Sequence, residues 1–209
     1  MRSLIRSYRA AFAGLPTAAW WLSLVALINR SGIMVLPFLM LYLTKERGFG
    51  LIEGGSLLTA YGAGSIVGSF LGGWLTDRIG SVQVQIASLL LSGIGFIVLG
   101  QLESASALAT ALFALGIVVD SFRPANGACF AEICGPAIRT RAIALNRLAI
   151  NIGWSIGPVA GGLLAKVDYG LLFWVDGLTC ILASLPLILF FRDPAKHRAA
   201  TEDTETDTQ

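Results

Sequence analysis

Asp120, Arg123 and Pro124 fall within one and a half helical turns of each other in the string "VVDSFRPANG", residues 118–127, at the end of an otherwise almost continuously apolar stretch. On a helix, Gly116, Asp120, Arg123 and Gly127 share one stripe, which is expected to face a cavity, and the spacing lets Asp120 and Arg123 interact. Pro124 has no N–H, so the carbonyl of Asp120 loses its usual donor. Two chemistries fit these residue types. In one, Asp120 is a protonatable group whose charge depends on desolvation and on its distance from Arg123 or Arg30. In the other, aspartate and arginine are a permanently ionised structural pair.

Two more arginines lie inside apolar segments: Arg30, near the middle of the first, and Arg147, early in the fifth. A charge in lipid costs several kcal/mol, so such residues normally face a bundle interior or a water-filled cavity. Arg147 is close enough to a segment end to snorkel to the headgroups, whereas Arg30 is not. Arg147, Asn151, Trp154 and Pro158 share one face of segment five. Arg147 and Asn151 are therefore expected as secondary cavity contacts.

The elements that position these residues follow from composition. The 209 residues are 55% hydrophobic and 13% charged, with mean hydropathy +0.73, where a soluble domain carries roughly a quarter charged residues. That is an all-α membrane protein. A bilayer core needs about 20 apolar helical residues, and six segments meet that length: 18–43, 54–75, 82–102, 105–129, 142–165 and 171–191. Residues 1–17 read as a cytoplasmic N-terminal segment, 18–191 as the transmembrane domain and 192–209 as a cytoplasmic, disordered tail.

With the N-terminus inside, Arg2, Arg6, Arg9, Arg78, Arg139, Arg141, Arg192, Lys196 and Arg198 lie on the cytoplasmic side. Only Lys45, Arg47 and Lys166 lie outside. The positive-inside rule then places both termini in the cytoplasm of a cell whose plasma (inner) membrane the chain spans. The basic residues are dispersed in connectors rather than gathered in a stripe, which argues against nucleic acid as a partner. Cys129, Cys134 and Cys180 have no metal-ligand spacing and read as packing residues. The single His197 lies in the tail. No nucleophile–base set, metal cluster or phosphate loop is visible, so an enzyme is not expected.

Two glycine ladders stand out. Gly64, Gly68 and Gly72 in segment two, and Gly153, Gly157 and Gly161 in segment five, repeat at intervals of four. Small residues at that spacing let helices approach closely in lipid.

Three strings together resemble the major facilitator superfamily, in its drug:proton antiporter branch. The family's loop signature G-x-L-a-D-R-x-G is met by Gly73, Leu75, Asp77, Arg78 and Gly80, although Ser81 and Val82 stand where two basic residues follow in the family. Its fourth-helix R-x-x-Q-G is matched by Arg123 and Gly127, with Asn126 for Gln. Its fifth-helix G-x-x-x-G-P-x-x-G-G is matched by Gly153, Gly157, Pro158, Gly161 and Gly162, with Ala144 in place of an upstream glycine.

The resemblance implies one six-helix half of a twelve-helix bundle whose halves surround the substrate site. It also implies a role in proton coupling for Arg123 and a cytoplasmic gate at Asp77. It implies proton-coupled secondary transport, with export of hydrophobic or amphipathic small molecules by alternating access, no cofactor, and the proton gradient as driving force. The opposite wall is expected from a parallel homodimer, from a separate six-helix half, or from a longer chain. In the homodimer, the glycines of segment two are expected to meet those of segment five across the interface. The rival expectation is a non-transporting six-helix scaffold, receptor or assembly subunit.

Overall fold

The computed structural model describes residues 12–191. The expectations for most of the N-terminal segment and for the tail lie outside the described residues. Seven α-helices follow one another: α1 Thr17–Ser31, α2 Val35–Lys45, α3 Leu51–Ile79, α4 Ser81–Leu99, α5 Ala105–Ile133, α6 Pro136–Leu164 and α7 Gly170–Phe191. Together α1 and α2 form the first span, so the six expected segments are present. The first is broken rather than continuous, at Gly32–Met34.

The helix ends follow local chemistry. The tight turn from α3 to α4 is made at Gly80, whose φ of +99° suits a residue without a Cβ. Ser104 caps α5 by accepting from the Ala107 N–H at 3.4 Å. Pro136 stands at the start of α6, where its missing N–H costs nothing. Both α5 and α6 run on without a break through Pro124 and Pro158.

Four spans, residues 17–45, α4, α5 and α7, are long and apolar enough to cross a membrane. The other two, α3 and α6, are 29 residues each. Their glycines, hydroxyl side chains and charged ends dilute an otherwise sufficient length.

Three helix pairs, α3 with α5, α1 with α6 and α4 with α7, are joined into the bundle by α4 against α5 and α1 against α7. Exchanging the first, second and third spans with the fourth, fifth and sixth maps this set of pairs onto itself. The chain is therefore two inverted three-helix units. Each of the first two pairs rests on a glycine ladder. A Cβ on Gly64 or Gly68 would collide with the carbonyl oxygen of Phe113 or Ile117, and one on Gly72 would lie 2.5 Å from the Cα of Ser121. A Cβ on Gly153 would meet the Arg30 side chain at 2.6 Å, and one on Gly157 the Ile33 carbonyl at 2.7 Å. In the third pair, Gly93 and Gly177 pack against each other's carbonyls, each 2.7 Å from the other's added Cβ.

This corrects the expectation that the glycines of segments two and five meet across a dimer. Both ladders are consumed inside one chain, because a glycine face buried against a neighbouring backbone is not available to another molecule. Gly116 is corrected in the same way. Its added Cβ would run into the Tyr61 carbonyl, so it packs on α3 rather than facing a cavity.

The apolar core divides into two clusters. One gathers Leu22, Phe122, Phe130 and Leu187 near the α3–α4 turn, and the other gathers Leu39, Phe96, Leu112 and Phe173 toward the opposite end. The buried polar side chains Asn29 and Ser92 fall between them along their helices, and Asp176 lies within the second. The three cysteines are buried free thiols within this packing. Large apolar side chains point outward, as a lipid-facing surface requires, with Phe70 79% and Leu189 66% exposed.

Replacing Gly68 with alanine is expected to lower the stability of the detergent-solubilised protein by about 1–3 kcal/mol through overpacking. Gly62→Ala, where an added Cβ meets nothing within 4 Å, is expected to change it by no more than about 0.5 kcal/mol. Thermal unfolding of the two variants checks this, and equal effects would contradict the assignment of the ladder.

Candidate functional site

With the ladder faces of α3 and α6 and the α3-facing side of α5 committed to packing, the next faces round α5 and α6 border open space. A cavity of about 600 Å³ lies there, lined among others by Arg30, Tyr61, Asp120, Arg123, Gly127, Asn146, Arg147 and Trp154. Four side chains singled out from the sequence, Arg30, Asp120, Arg123 and Arg147, thus line one wall from three spans. Asn151 does not join them. It is exposed and outside the cavity lining, and the asparagines that do line it are Asn126 of α5 and Asn146, the latter more than one turn earlier on α6.

Asp120 is half-buried and takes a short hydrogen bond from the Ser65 hydroxyl of α3. It does not pair with an arginine. Among the described residues the one ion pair is Arg47–Glu103, at 3.3 Å, near the loops at the other end of the bundle. Arg30 stands in the last turn of α1. It lies within electrostatic reach of Asp120, which attracts it, and of Arg123, which repels it. The expected contact between Asp120 and Arg123 is therefore replaced by a hydroxyl contact to the neighbouring helix, with the arginines close by and unpaired.

A polar relay supports the wall from behind. The Gln85 Nε2 donates to the Ser81 carbonyl at 3.2 Å, which leaves its Oε1 to accept from Asn126 at 3.2 Å. Asn126 Oδ1 in turn accepts from Asn146 Nδ2 at 2.8 Å. Because the relay starts on a carbonyl, which only accepts, every amide in it is oriented. Its last acceptor, Asn146 Oδ1, has no partner. The Asn126 that replaces the family's Gln is thus the central link tying α4, α5 and α6.

The residue that sequence analysis missed is Asp176 of α7. It is fully buried, at 0% exposure, and its Oδ2 accepts from the backbone N–H groups of Met34 at 3.2 Å and Val35 at 3.1 Å. Those groups open α2, so Asp176 satisfies donors that the break in the first span leaves without helical partners. The break is shaped from the same helix: a Cβ on Gly32 would overlap the Thr179 side chain, one turn after Asp176. The available signal was a lone acid in the 22 residues of "GLLFWVDGLTCILASLPLILFF".

The loop-signature residues lie away from the cavity, at the end where α3 turns into α4. Asp77 is exposed and has no hydrogen bond or ion pair among the described residues. It makes no side-chain cap on α4. Arg78 lies over the Trp74 ring, 4.3 Å from its centroid, and Gly73 meets nothing. At the same end Ser81 donates to Glu132 at 2.6 Å, joining the α3–α4 turn to the end of α5. Pro158 lies within α6, and Gly162 is 3.5 Å, as an added Cβ, from the Phe38 ring.

Residues 22–208 match the sequence profile of the Major Facilitator Superfamily. The chain belongs to that family. It is 26% identical over 184 residues to the uncharacterized MFS-type transporter YdeE of Escherichia coli, covering 88% of this chain and 45% of that protein. It is 27% identical over 192 residues to the cis,cis-muconate transport protein of Acinetobacter baylyi, with the same coverage of 88% and 45%. Against the quinolone resistance protein NorA of Staphylococcus aureus it is 26% identical over 163 residues, covering 78% and 42%. The fold matches the crystal structure of a peptide transporter in complex with sulfate at a TM-score of 0.76, with 19% identity, over 94% of this chain and 45% of that one. The chain spans less than half the length of the relatives it matches, and the expected half of a major-facilitator bundle is the fold observed.

Asp176→Leu is expected to cost about 3 kcal/mol or more of stability, since two buried N–H groups lose their acceptor. Asp176→Asn keeps an acceptor oxygen without a charge and is expected to restore most of that loss. Unfolding midpoints of the two variants in detergent check this, and a stable leucine variant would contradict the capping role.

Proposed function

We propose that this chain forms one wall of a proton-coupled secondary transporter that exports hydrophobic or amphipathic small molecules across the plasma membrane by alternating access. The observation that carries the reading is the convergence of Arg30, Asp120, Arg123 and Arg147 on one membrane-level cavity of about 600 Å³. That volume falls within the roughly 300–1,000 Å³ of small-molecule sites. A scaffold without transport has no reason to gather four charges from otherwise apolar helices. The family supports the reading, as do relatives named for muconate transport and quinolone resistance.

In this mechanism Asp120 takes up and releases the proton. Ser65 holds the carboxylate on the α3 side, and Arg30 and Arg123 set its affinity for the proton through their distance. When Asp120 is protonated, the two arginines lose their nearest negative charge and repel each other. That differential interaction is what a switch between two states needs. Arg147 supplies a further cavity contact. Pro158 and the glycines of α6 allow close packing on the first span and do not touch substrate.

The second wall comes from another six-helix unit, either a second copy in a parallel dimer or a separate half. It meets the outward faces of α3 and α6 rather than their glycine ladders. Asp77, without a partner among the described residues, then closes the cytoplasmic gate against the positive end of a helix in that unit. Counted together with the basic residues before α1 and after α7, Arg78, Arg139 and Arg141 support a cytoplasmic location for this end. The mass of the membrane-embedded oligomer distinguishes a second copy from a different partner.

Proteoliposomes with an imposed pH gradient and an internal pH dye test the coupling across a panel of amphipathic compounds. The wild type is expected to move protons when a substrate is added. Asp120→Asn is expected to abolish that signal while leaving substrate exchange without a gradient, and Arg123→Ala to reduce it about tenfold or more, because a nearby positive charge that tunes the carboxylate is lost. Undiminished proton movement in both variants would overturn the mechanism.

A further inference from the structure

The wall of the cavity is electrostatically one-sided. Arg30 comes from the end of α1, Arg123 from α5 and Arg147 from α6, and the one acid beside them is Asp120. Asp120 is engaged by the Ser65 hydroxyl, and none of the three guanidinium groups has an ion pair with a described residue. None donates a hydrogen bond to a described residue either, so three planar forks, each with five donors, border the cavity without acceptors. Around them the lining combines the amides of Asn126 and Asn146 with the Tyr61, Phe122 and Trp154 rings and aliphatic side chains.

We propose that this site selects amphipathic organic anions: a carboxylate or sulfonate held by the arginines, on an aromatic or unsaturated apolar body. Guanidinium forks match the paired oxygens of these groups, and the fit is strongest where water is sparse. An organic cation would enter against three positive charges with only Asp120 to receive it, and like charge at close range is a strong bar to the wrong ligand. The apolar body is recognised by burial and by the Trp154 and Tyr61 rings. The inference rests on the cavity being the transport site, and it narrows "hydrophobic or amphipathic" to one charge class. An acid from the second wall is the other possible counter-charge for the arginines, and the experiment separates the two.

Binding of radiolabelled p-toluenesulfonate and of phenyltrimethylammonium, both permanently charged and of similar size, is measured on the purified full chain in lipid nanodiscs. Saturable binding of the anion and none of the cation is expected. Arg123→Ala with Arg147→Ala is expected to weaken anion binding by about tenfold or more with an unchanged melting temperature. Arg123→Lys, which keeps the charge but loses the fork, is expected to fall between. Cation binding as tight as anion binding, or anion binding untouched by the double alanine variant, would overturn the proposal. No anion binding in the wild type, with the arginines satisfied by acids of a second unit, would overturn it too. The transport reading fails separately: anion binding without any gradient-driven flux sinks transport and leaves the anion site, whereas flux of cations alone sinks the anion site and leaves transport.

Discussion

Direct backbone contact between helices is the constraint from which the rest of this structure follows. In lipid there is no hydrophobic force between helices, so they are held by close van der Waals approach, and that approach needs the missing Cβ atoms of glycine. Gly64, Gly68 and Gly72 bring α3 onto the backbone of α5, and Gly153, Gly157 and Gly161 bring α6 onto the first span. Each ladder fixes not only a distance but a rotation about the helix axis. Once Ser121 faces α3, Asp120, 100° back round the axis, and Arg123, 200° on, are set relative to the cavity. The positions of the charges are thus a consequence of where the glycines are.

The same economy explains the broken first span. A break frees N–H groups, and in a membrane they need a partner from within the protein. Asp176 provides it from α7 with one oxygen for two donors, and Gly32 leaves room for Thr179 beside it. Arg30 stands in the last helical turn before this break. Arg30 is therefore carried on an interrupted span whose second piece has its opening N–H groups capped by a single carboxylate.

Much of this was legible in the sequence for reasons that can be named. Apolar length gave the six spans, and a charge in an apolar segment gave Arg30, Asp120, Arg123 and Arg147, since lipid leaves such residues little choice of surroundings. What could not be read was which neighbour each face meets. The two glycine ladders announced close packing but not whether the partner helix belonged to the same chain. Asn151 and Asn146 are less than two turns apart, and periodicity without a fixed rotation did not tell the exposed one from the lining one. Asp176 escaped because its partners are backbone groups more than 140 residues away, and backbone donors carry no sequence signature.

Everything proposed for the site depends on one claim, that the wall bearing Arg30, Asp120, Arg123 and Arg147 faces water rather than lipid or protein. Labelling of single cysteines with a charged, membrane-impermeant maleimide, in a background from which Cys129, Cys134 and Cys180 have been removed, tests it most directly. Val119→Cys, Gly127→Cys and Ile150→Cys are predicted to label from one side of the membrane. Leu182→Cys and Leu189→Cys, on the outward face of α7, are predicted to stay unlabelled. The reverse pattern, or silence at all three cavity positions, would contradict the account.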